Sequence, residues 1–248
     1  MISIEQAAIW HEVECGAYEA DLVFWEELVG KRDAVLDLGS GTGRVAMYLA
    51  RRGRSVTAVD VDPRILHVLE ERSAERGLDI ECFCEDARDL HLGREFDAVI
   101  APMQLIQLMR GAQERRALLK RAVQHLRPGG VFAATVMNLD GEPIGGDYLP
   151  PPPDMREFDG WLYSSQSVAV LPIESGRAIA IDRVRTVVAP DGSQKESLSR
   201  VRLELLEPEV LEREMETAGL VVQGRRIIPV TEEHVGSVLL TGTAPDSR

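Results

Sequence analysis

The sequence is short of cysteine, aromatic residues and positive charge. Its three cysteines, Cys15, Cys82 and Cys84, are too few for a disulfide framework. Cys82 and Cys84 alternate in IECFC, which puts both on one face of a strand, where they read as buried apolar thiols in a reducing compartment. No cluster of His, Cys, Asp and Glu has metal-ligand spacing, so no metal is expected. No run of 18 apolar residues exists to span a membrane. The opening MISIEQAAIWHEVEC carries acids and lacks the basic-then-apolar order of a secretion signal, so a cytoplasmic location is expected. Lys and Arg total 28 against 41 Asp and Glu, a net charge of −13, which makes nucleic acid a poor partner. The pairs Arg51-Arg52 and Arg115-Arg116 fall in expected helices and read as solvated faces.

What remains is a chain of 248 residues with 44% hydrophobic content, enough for one large domain or a domain with a subdomain. Residues 17–29 place Leu22, Trp25, Leu28 and Val29 at helical spacing. Short apolar runs at 35–38, 55–60, 80–84, 96–101 and 131–137 alternate with helical segments at 45–50, 63–76 and 114–126. Such alternation means βαβ units and a parallel sheet covered on both faces. After Asn138 the pattern changes. A loop with four consecutive prolines, Pro150–Pro153, leads to three long strand-like runs at 161–170, 177–189 and 197–206, with a hairpin signal at Asp191–Ser193. These form an antiparallel insert, a roof over a pocket or a dimer contact. A helix at 208–218 and two closing strands follow.

VLDLGSGTG, from Val35, sets three glycines between a strand and a helix. A glycine turn there lets a ligand approach the backbone and aims the helix N-terminus at it. The dinucleotide spacing is not met, because the third glycine comes one position early and Arg44 stands where close packing wants a small residue. No Gly-Lys-Ser/Thr follows, so it is not a phosphate loop. Asp60 ends the second strand, where an acid can hold both ribose hydroxyls. Asp86 follows the third, where an acid can meet the adenine amine.

LDLGSGTG, VTAVDVDPRIL, CEDARDL, FDAVIAPMQLIQLM and HLRPGG stand in the order of the class I S-adenosylmethionine-dependent methyltransferase motifs, over roughly Ala34 to Asn138. GAYEADLVFWEELV resembles the N-terminal helix of the small-molecule methyltransferases in that superfamily. The resemblance implies an α/β fold: a Rossmann-like seven-stranded, mostly parallel sheet with helices on both faces, its last strand antiparallel, plus the antiparallel insert after the fifth strand. It implies a helical cap over residues 1–30, a cofactor-binding core over 31–140 and 207–248, and a loop-and-strand insert over 141–206. It implies S-adenosyl-L-methionine as cofactor. Gly39, Gly41 and Gly43 would pack under the methionine and ribose, Asp37 would lie near the methionine amine, Asp60 would hold the ribose and Val61 would cover the adenine. Asp86 and Ala87 would bind the adenine edge, and Ala101 would face the methionine end.

The loop after the fourth strand departs from the resemblance. Its polar side chains, Gln104 and Gln107, sit three apart and neither is a base. Tyr18, His11 and Glu14 are the other acceptor-site candidates, with Tyr18 favoured because similar families place an aromatic near the cofactor there. His125 reads as a cap on its helix carbonyls, and His67 as a surface residue. Arg183 and Arg185 share a strand face, either meeting an acidic acceptor or exposed at the strand's far end. The expected activity is methyl transfer by in-line displacement to a small-molecule acceptor, in a monomer or a homodimer, with neither membrane nor nucleic acid as partner. A cofactor-binding protein without catalysis and an NAD-dependent oxidoreductase are the competing readings.

Overall fold

The computed structural model describes residues 4–137, 149–231 and 234–246. Two helices open the chain, α1 (Ile4–Cys15) and α2 (Leu22–Val29). The single helix expected over 17–29 is therefore only its second half. Tyr18 lies in the turn between α1 and α2, and α1 itself is an addition. No single apolar stripe announces α1, because its apolar residues Trp10 and Val13 face one neighbour while His11 and Glu12 face another.

Strand β1 (Ala34–Leu38) leads through the glycine turn to α3 (Arg44–Ala50) and β2 (Ser55–Asp60). Helix α4 (Pro63–Glu75) starts with proline in its first turn and with the Asp62 carboxylate accepting from the Arg64 amide, 2.9 Å, which satisfies a donor that the helix leaves open. Then come β3 (Ile80–Cys84), β4 (Phe96–Ala101), the short α5 (Leu105–Leu108), α6 (Ala112–Gln124) and β5 (Leu126–Met137). β5 begins earlier than the expected 131. Leu126 pairs with Phe96, residues 127–130 loop out, and pairing resumes at Ala98–Val131. Pro128 has no amide to give and Gly129 turns at φ +70°.

The order β10-β11-β5-β4-β1-β2-β3 makes one seven-stranded sheet. β1 to β5 run parallel, while β11 (Ser237–Thr243) is antiparallel to both β5 and β10 (Val221–Ile228). Strand order reverses at β1 and β4, the switch point where open α/β sheets bind ligands. Leu36 and Leu38 enter a core on one face with Phe132 and Leu118; Val35 enters the other with Trp25 and Leu69.

The insert is a four-stranded antiparallel sheet, β6 (Asp154–Phe158), β7 (Trp161–Ile173), β8 (Ala178–Val188) and β9 (Gln194–Glu204), in that order. The three expected strands become four. β6 is the addition, joined to β7 by a two-residue Asp159-Gly160 turn with φ +50° and +78°. That dipeptide is a hairpin signal in the sequence. Helix α7 (Pro208–Thr217) follows. The boundary expected between residues 140 and 141, and most of the loop before the prolines, lie outside the described residues.

Two expectations about side chains change. Cys84 is exposed and Cys82 only half-buried, because β3 is an edge strand. Arg115 is buried, not solvated. It pairs with Glu214 of α7 at 2.8 Å and Glu204 of β9 at 2.6 Å, which locks insert and core together behind the sheet. Arg116 beside it lines a groove with Lys120. His125 is as expected, its Nδ1 on the Arg121 carbonyl at 2.7 Å, and His67 sits at the surface beside Glu71.

Candidate active site

The glycine turn is built by backbone geometry. Gly39, Gly41 and Gly43 have φ of +64°, +58° and +89°, the left-handed region that other residues enter at a cost. Space demands glycine too. A Cβ at residue 39 would stand 2.8 Å from Leu105, one at 41 would overlap the His11 ring, and one at 43 would overlap Leu69. The Ser40 amide donates to the Val59 carbonyl at 3.0 Å, pinning the turn to β2.

Asp60 ends β2 and is held by two amides. Gly41 donates to its Oδ2 and Asp62 to its Oδ1, each at 2.9 Å. The carboxylate is thus fixed beside the turn. Val61 next to it is 68% exposed, an apolar side chain with an open face. Asp86 follows β3 but is engaged: the Arg88 amide and guanidinium both donate to it, and these bonds hold its carboxyl below the usual range. Arg88 also reaches Glu114 at 2.8 Å. Ala87 is half-buried against the core, and Ala101 is fully buried at the end of β4.

Asp37 is the most unusual group. It is buried on β1, where the Ala46 amide of α3 offers its carboxylate a backbone hydrogen bond and no side chain among the described residues partners either oxygen. Burial pushes its pKa up to about 8, with the Arg44 guanidinium pulling the other way. Arg44 is not free to pair with it, being held bidentately by Asp21 and donating to the Tyr18 carbonyl at 2.6 Å. The Ser40 hydroxyl is also buried without a hydrogen-bond partner among the described residues, and the buried Tyr18 hydroxyl has the Ser237 side chain as a hydrogen-bonding neighbour. Burial, helped by Asp21, raises the Tyr18 phenol to about 12. Its ring stacks 4.8 Å from His234 and 5.1 Å from Arg44. Buried oxygens short of partners are rare, and here Asp37, Ser40 and Tyr18 carry such oxygens near one turn.

Above the turn, α1 is clasped between core and insert. Toward the core, His11 Nδ1 lies 3.1 Å from Thr42 Oγ1, Thr42 donates to Glu12, and Arg72 pairs with Glu12 at 2.8 Å. Toward the insert, Glu14 accepts from Ser165 at 2.8 Å and takes Arg185 bidentately, while Arg183 pairs with Asp154 at 2.6 Å. Trp10 packs edge-on against Tyr163 and under Arg185. Neither arginine is exposed at a strand end, and both are already paired. A cavity of about 260 Å³ lies here, lined by Trp10, His11, Glu14, Cys15, Arg64 and Ile65 among others. The Cys15 thiol is pushed up to about 12 by burial, so it is no nucleophile near neutrality.

Gln104 is half-buried and opens α5, after Met103 in a left-handed turn at φ +53°. Gln107 is buried, and both ends of its amide are engaged by the main chain: Nε2 donates to the Glu204 carbonyl at 3.0 Å and Oε1 accepts from Met137 at 2.7 Å. Its position gives it a structural task, tying α5 to β9 and β5. The Asp21–Arg44 pair has no signal in the sequence, since only the fold brings residues 23 apart together. Among the described residues, no group of three His, Cys, Asp or Glu side chains is arranged to hold a metal. No helix among them is long and apolar enough to cross a membrane.

A parallel sheet with a glycine turn at its switch point and an acid after each of two successive strands defines a nucleotide-binding α/β domain. Comparison with known proteins narrows this further. Residues 35–130 match the family model described as a methyltransferase domain. The cypemycin N-terminal methyltransferase of a Streptomyces species is 38% identical over 131 residues, 52% of this chain and 53% of that protein. A ubiquinone biosynthesis O-methyltransferase of Xanthomonas euvesicatoria is 29% identical over 114 residues, 45% of each chain. The chain thus spans about half the length of the curated relatives it matches. Among solved structures, CalS10, an amino pentose methyltransferase from Micromonospora echinaspora with S-adenosylmethionine bound, superposes with a TM-score of 0.73 at 19% identity, covering 98% of this chain and 97% of that one; this likeness concerns the fold.

S-adenosylmethionine, the cofactor that the sequence motifs imply, is compatible with the residues present. A buried carboxylate at Asp37 with no side-chain partner among the described residues suits a ligand ammonium. The two amides on Asp60 fix its carboxylate beside the glycine turn.

Proposed function

We propose that the protein transfers a methyl group from S-adenosyl-L-methionine to a small-molecule acceptor. The carrying observation is the Asp37 carboxylate, buried at the glycine turn with no cation or side-chain partner on its oxygens among the described residues, and Asp60 fixed close by. A buried acid without a cation is unfavourable, and a ligand ammonium removes the penalty.

The bound cofactor supplies a methyl group already activated on a sulfonium. What this chain does is hold and align. Asp37 binds the amino group, Asp60 the ribose hydroxyls, Val61 and Ala87 flank the base, and Gly39, Gly41, Gly43 and Ala101 allow close approach. Asp86 meets the adenine edge once Arg88 yields or shares it. The cap and insert enclose the acceptor and exclude water, which suits an in-line displacement. Tyr18 and Gln104 are the acceptor-side groups; Gln107 acts at one remove by fixing α5. At a pKa of about 12 the Tyr18 phenol donates a hydrogen bond and does not serve as a base near neutrality. An amine acceptor that arrives neutral needs no base.

We also propose that residues 1–30 act as a cap, that the insert roofs the acceptor, and that the protein works in the cytoplasm, which three unpaired thiols support. A homodimer through the insert's outer face is compatible with that roof, since Leu171 and Leu198 there are exposed. Nucleic acid is a poor partner for a chain of net charge −13.

Calorimetric titration of the wild type with S-adenosylhomocysteine tests the cofactor site. Micromolar binding, lost in Asp60→Ala and Asp37→Ala, is the expected result. Binding of neither S-adenosylhomocysteine nor S-adenosylmethionine overturns the reading. Methyl transfer to a panel of amines and phenols then separates the transferase from a binding protein without turnover.

A further inference from the structure

The cleft that receives the cofactor's ribose is already filled by a side chain of this protein. The His11 ring rests on Gly41 so closely that a Cβ there would overlap its Cε1 and Nε2. Its Nδ1 lies 3.1 Å from Thr42 Oγ1. Gly41 also gives its amide to Asp60, so ring, turn and ribose-binding acid form one patch. A ligand that uses the space above Gly41 cannot share it with the imidazole.

The way α1 is anchored makes the ring removable. The apolar residues of α1 join a small cluster of their own, with Trp10 and Val13 packed on Tyr163, Phe158 and Val187 of the insert. Its anchors on the glycine turn and α4 are polar: His11 and Glu12 to Thr42, and Glu12 to Arg72. Partly exposed polar anchors release more easily than packed apolar ones, since water replaces the lost partners. Movement of α1 away from the turn carries Trp10 and Glu14, which line the insert side of the cavity.

We infer that His11 is an internal plug of the nucleoside cleft: in the unliganded protein α1 seats it on Gly41, cofactor entry displaces it, and the displacement shifts Trp10 and Glu14 at the acceptor side. His11 then lowers the apparent cofactor affinity by the fraction of molecules with the plug in place. The inference rests on the proposed cofactor site.

The test titrates S-adenosylhomocysteine into wild type, His11→Ala and Thr42→Val, and follows hydrogen–deuterium exchange of residues 7–15 with and without ligand. Thr42→Val removes the hydroxyl that holds the ring and leaves α1 intact, so the test does not depend on one variant's folding. The expected result is binding tighter by about three- to tenfold in both variants, with faster exchange in α1 of the wild type once ligand is bound. Unchanged or weaker binding in both variants, beside normal wild-type binding, overturns the plug and leaves the cofactor site standing. Absence of binding in all three proteins overturns the cofactor site itself, and the plug with it.

Discussion

The protein joins two regions that build their sites by different means. In the large sheet, the glycine turn, Asp37, Asp60 and Asp86 come from short segments at successive strand ends, and the key contacts are backbone ones: the Gly41 and Asp62 amides on Asp60, the Ser40 amide on Val59. In the insert and α1, the contacts are side-chain pairs between residues far apart in the chain, such as Glu14 with Arg185 and Ser165. The first region is specified by local spacing. The second is specified by which charged residues the fold happens to set opposite each other. A core laid down by strand registry tolerates little change at its centre, whereas a clasp of ion pairs can loosen by degrees.

That contrast predicts a ranking of damage. Phe132→Ala, at the fully buried centre of the large sheet, is expected to destabilise by about 3–5 kcal/mol, read by chemical denaturation. Arg115→Ala is expected to come close, at about 3–5 kcal/mol, because Glu204 and Glu214 lose their shared partner. Arg115→Met, leaving the same two carboxylates, separates the lost packing from the lost charge. If Arg115→Ala proves harmless, the insert is not locked to the core through this triad.

Arg185→Ala sits lower, at about 1.5–3 kcal/mol, since hydrogen bonds to a charged group contribute that much. Its signature is local: faster hydrogen exchange in α1 and β7 with little change in β1 and β4. Uniform loss across both sheets would erase the distinction between the two regions. Arg200→Ala, whose own side chain is 61% exposed beside Asp182, should leave the denaturation midpoint unchanged, because water screens an exposed ion pair.

The pH dependence sharpens the same contrast. Asp37 has a folded pKa of about 8 against an ordinary 3.8. Between those values the folded chain holds a proton that the unfolded chain has lost, so this group's contribution makes the unliganded protein less stable as pH rises from about 4 to 8. A bound ammonium stabilises the ionised form and releases that proton. Calorimetry near pH 7 in phosphate and in Tris should therefore give different apparent enthalpies, with the difference abolished in Asp37→Asn.

Much of the large sheet is legible in the sequence, because period and punctuation carry it. IECFC, FDAVIA and SVTAVD are the strands their patterns suggest, with the same bounds. Where reading fails, the physics differs from case to case. DMREF has no apolar alternation, since β6 is an edge strand with exposed residues, and its clue is the Asp159-Gly160 turn. Helix α1 serves two neighbours and so shows no single face. Arg115 looks like any surface arginine until α7 and β9 bring two glutamates around it. Asp86 stands at the expected place, but its pairing with Arg88 two residues on is a choice of rotamer that spacing leaves open.

The sequence by itself determined the order of strands in the large sheet, the glycine turn at Gly39–Gly43, and the placing of acids at strand ends, because backbone sterics and side-chain periodicity act over a few residues. Only the tertiary structure decided that the Asp37 carboxylate is buried without a side-chain partner among the described residues, that Gln107 is occupied by the main chain, and that His11 rests on Gly41. Burial and pairing are properties of what surrounds a residue, and the surroundings of these three come from segments distant in the chain: Gln107 meets Met137 and Glu204, and the His11 ring on Gly41 is carried by a helix that precedes the first strand.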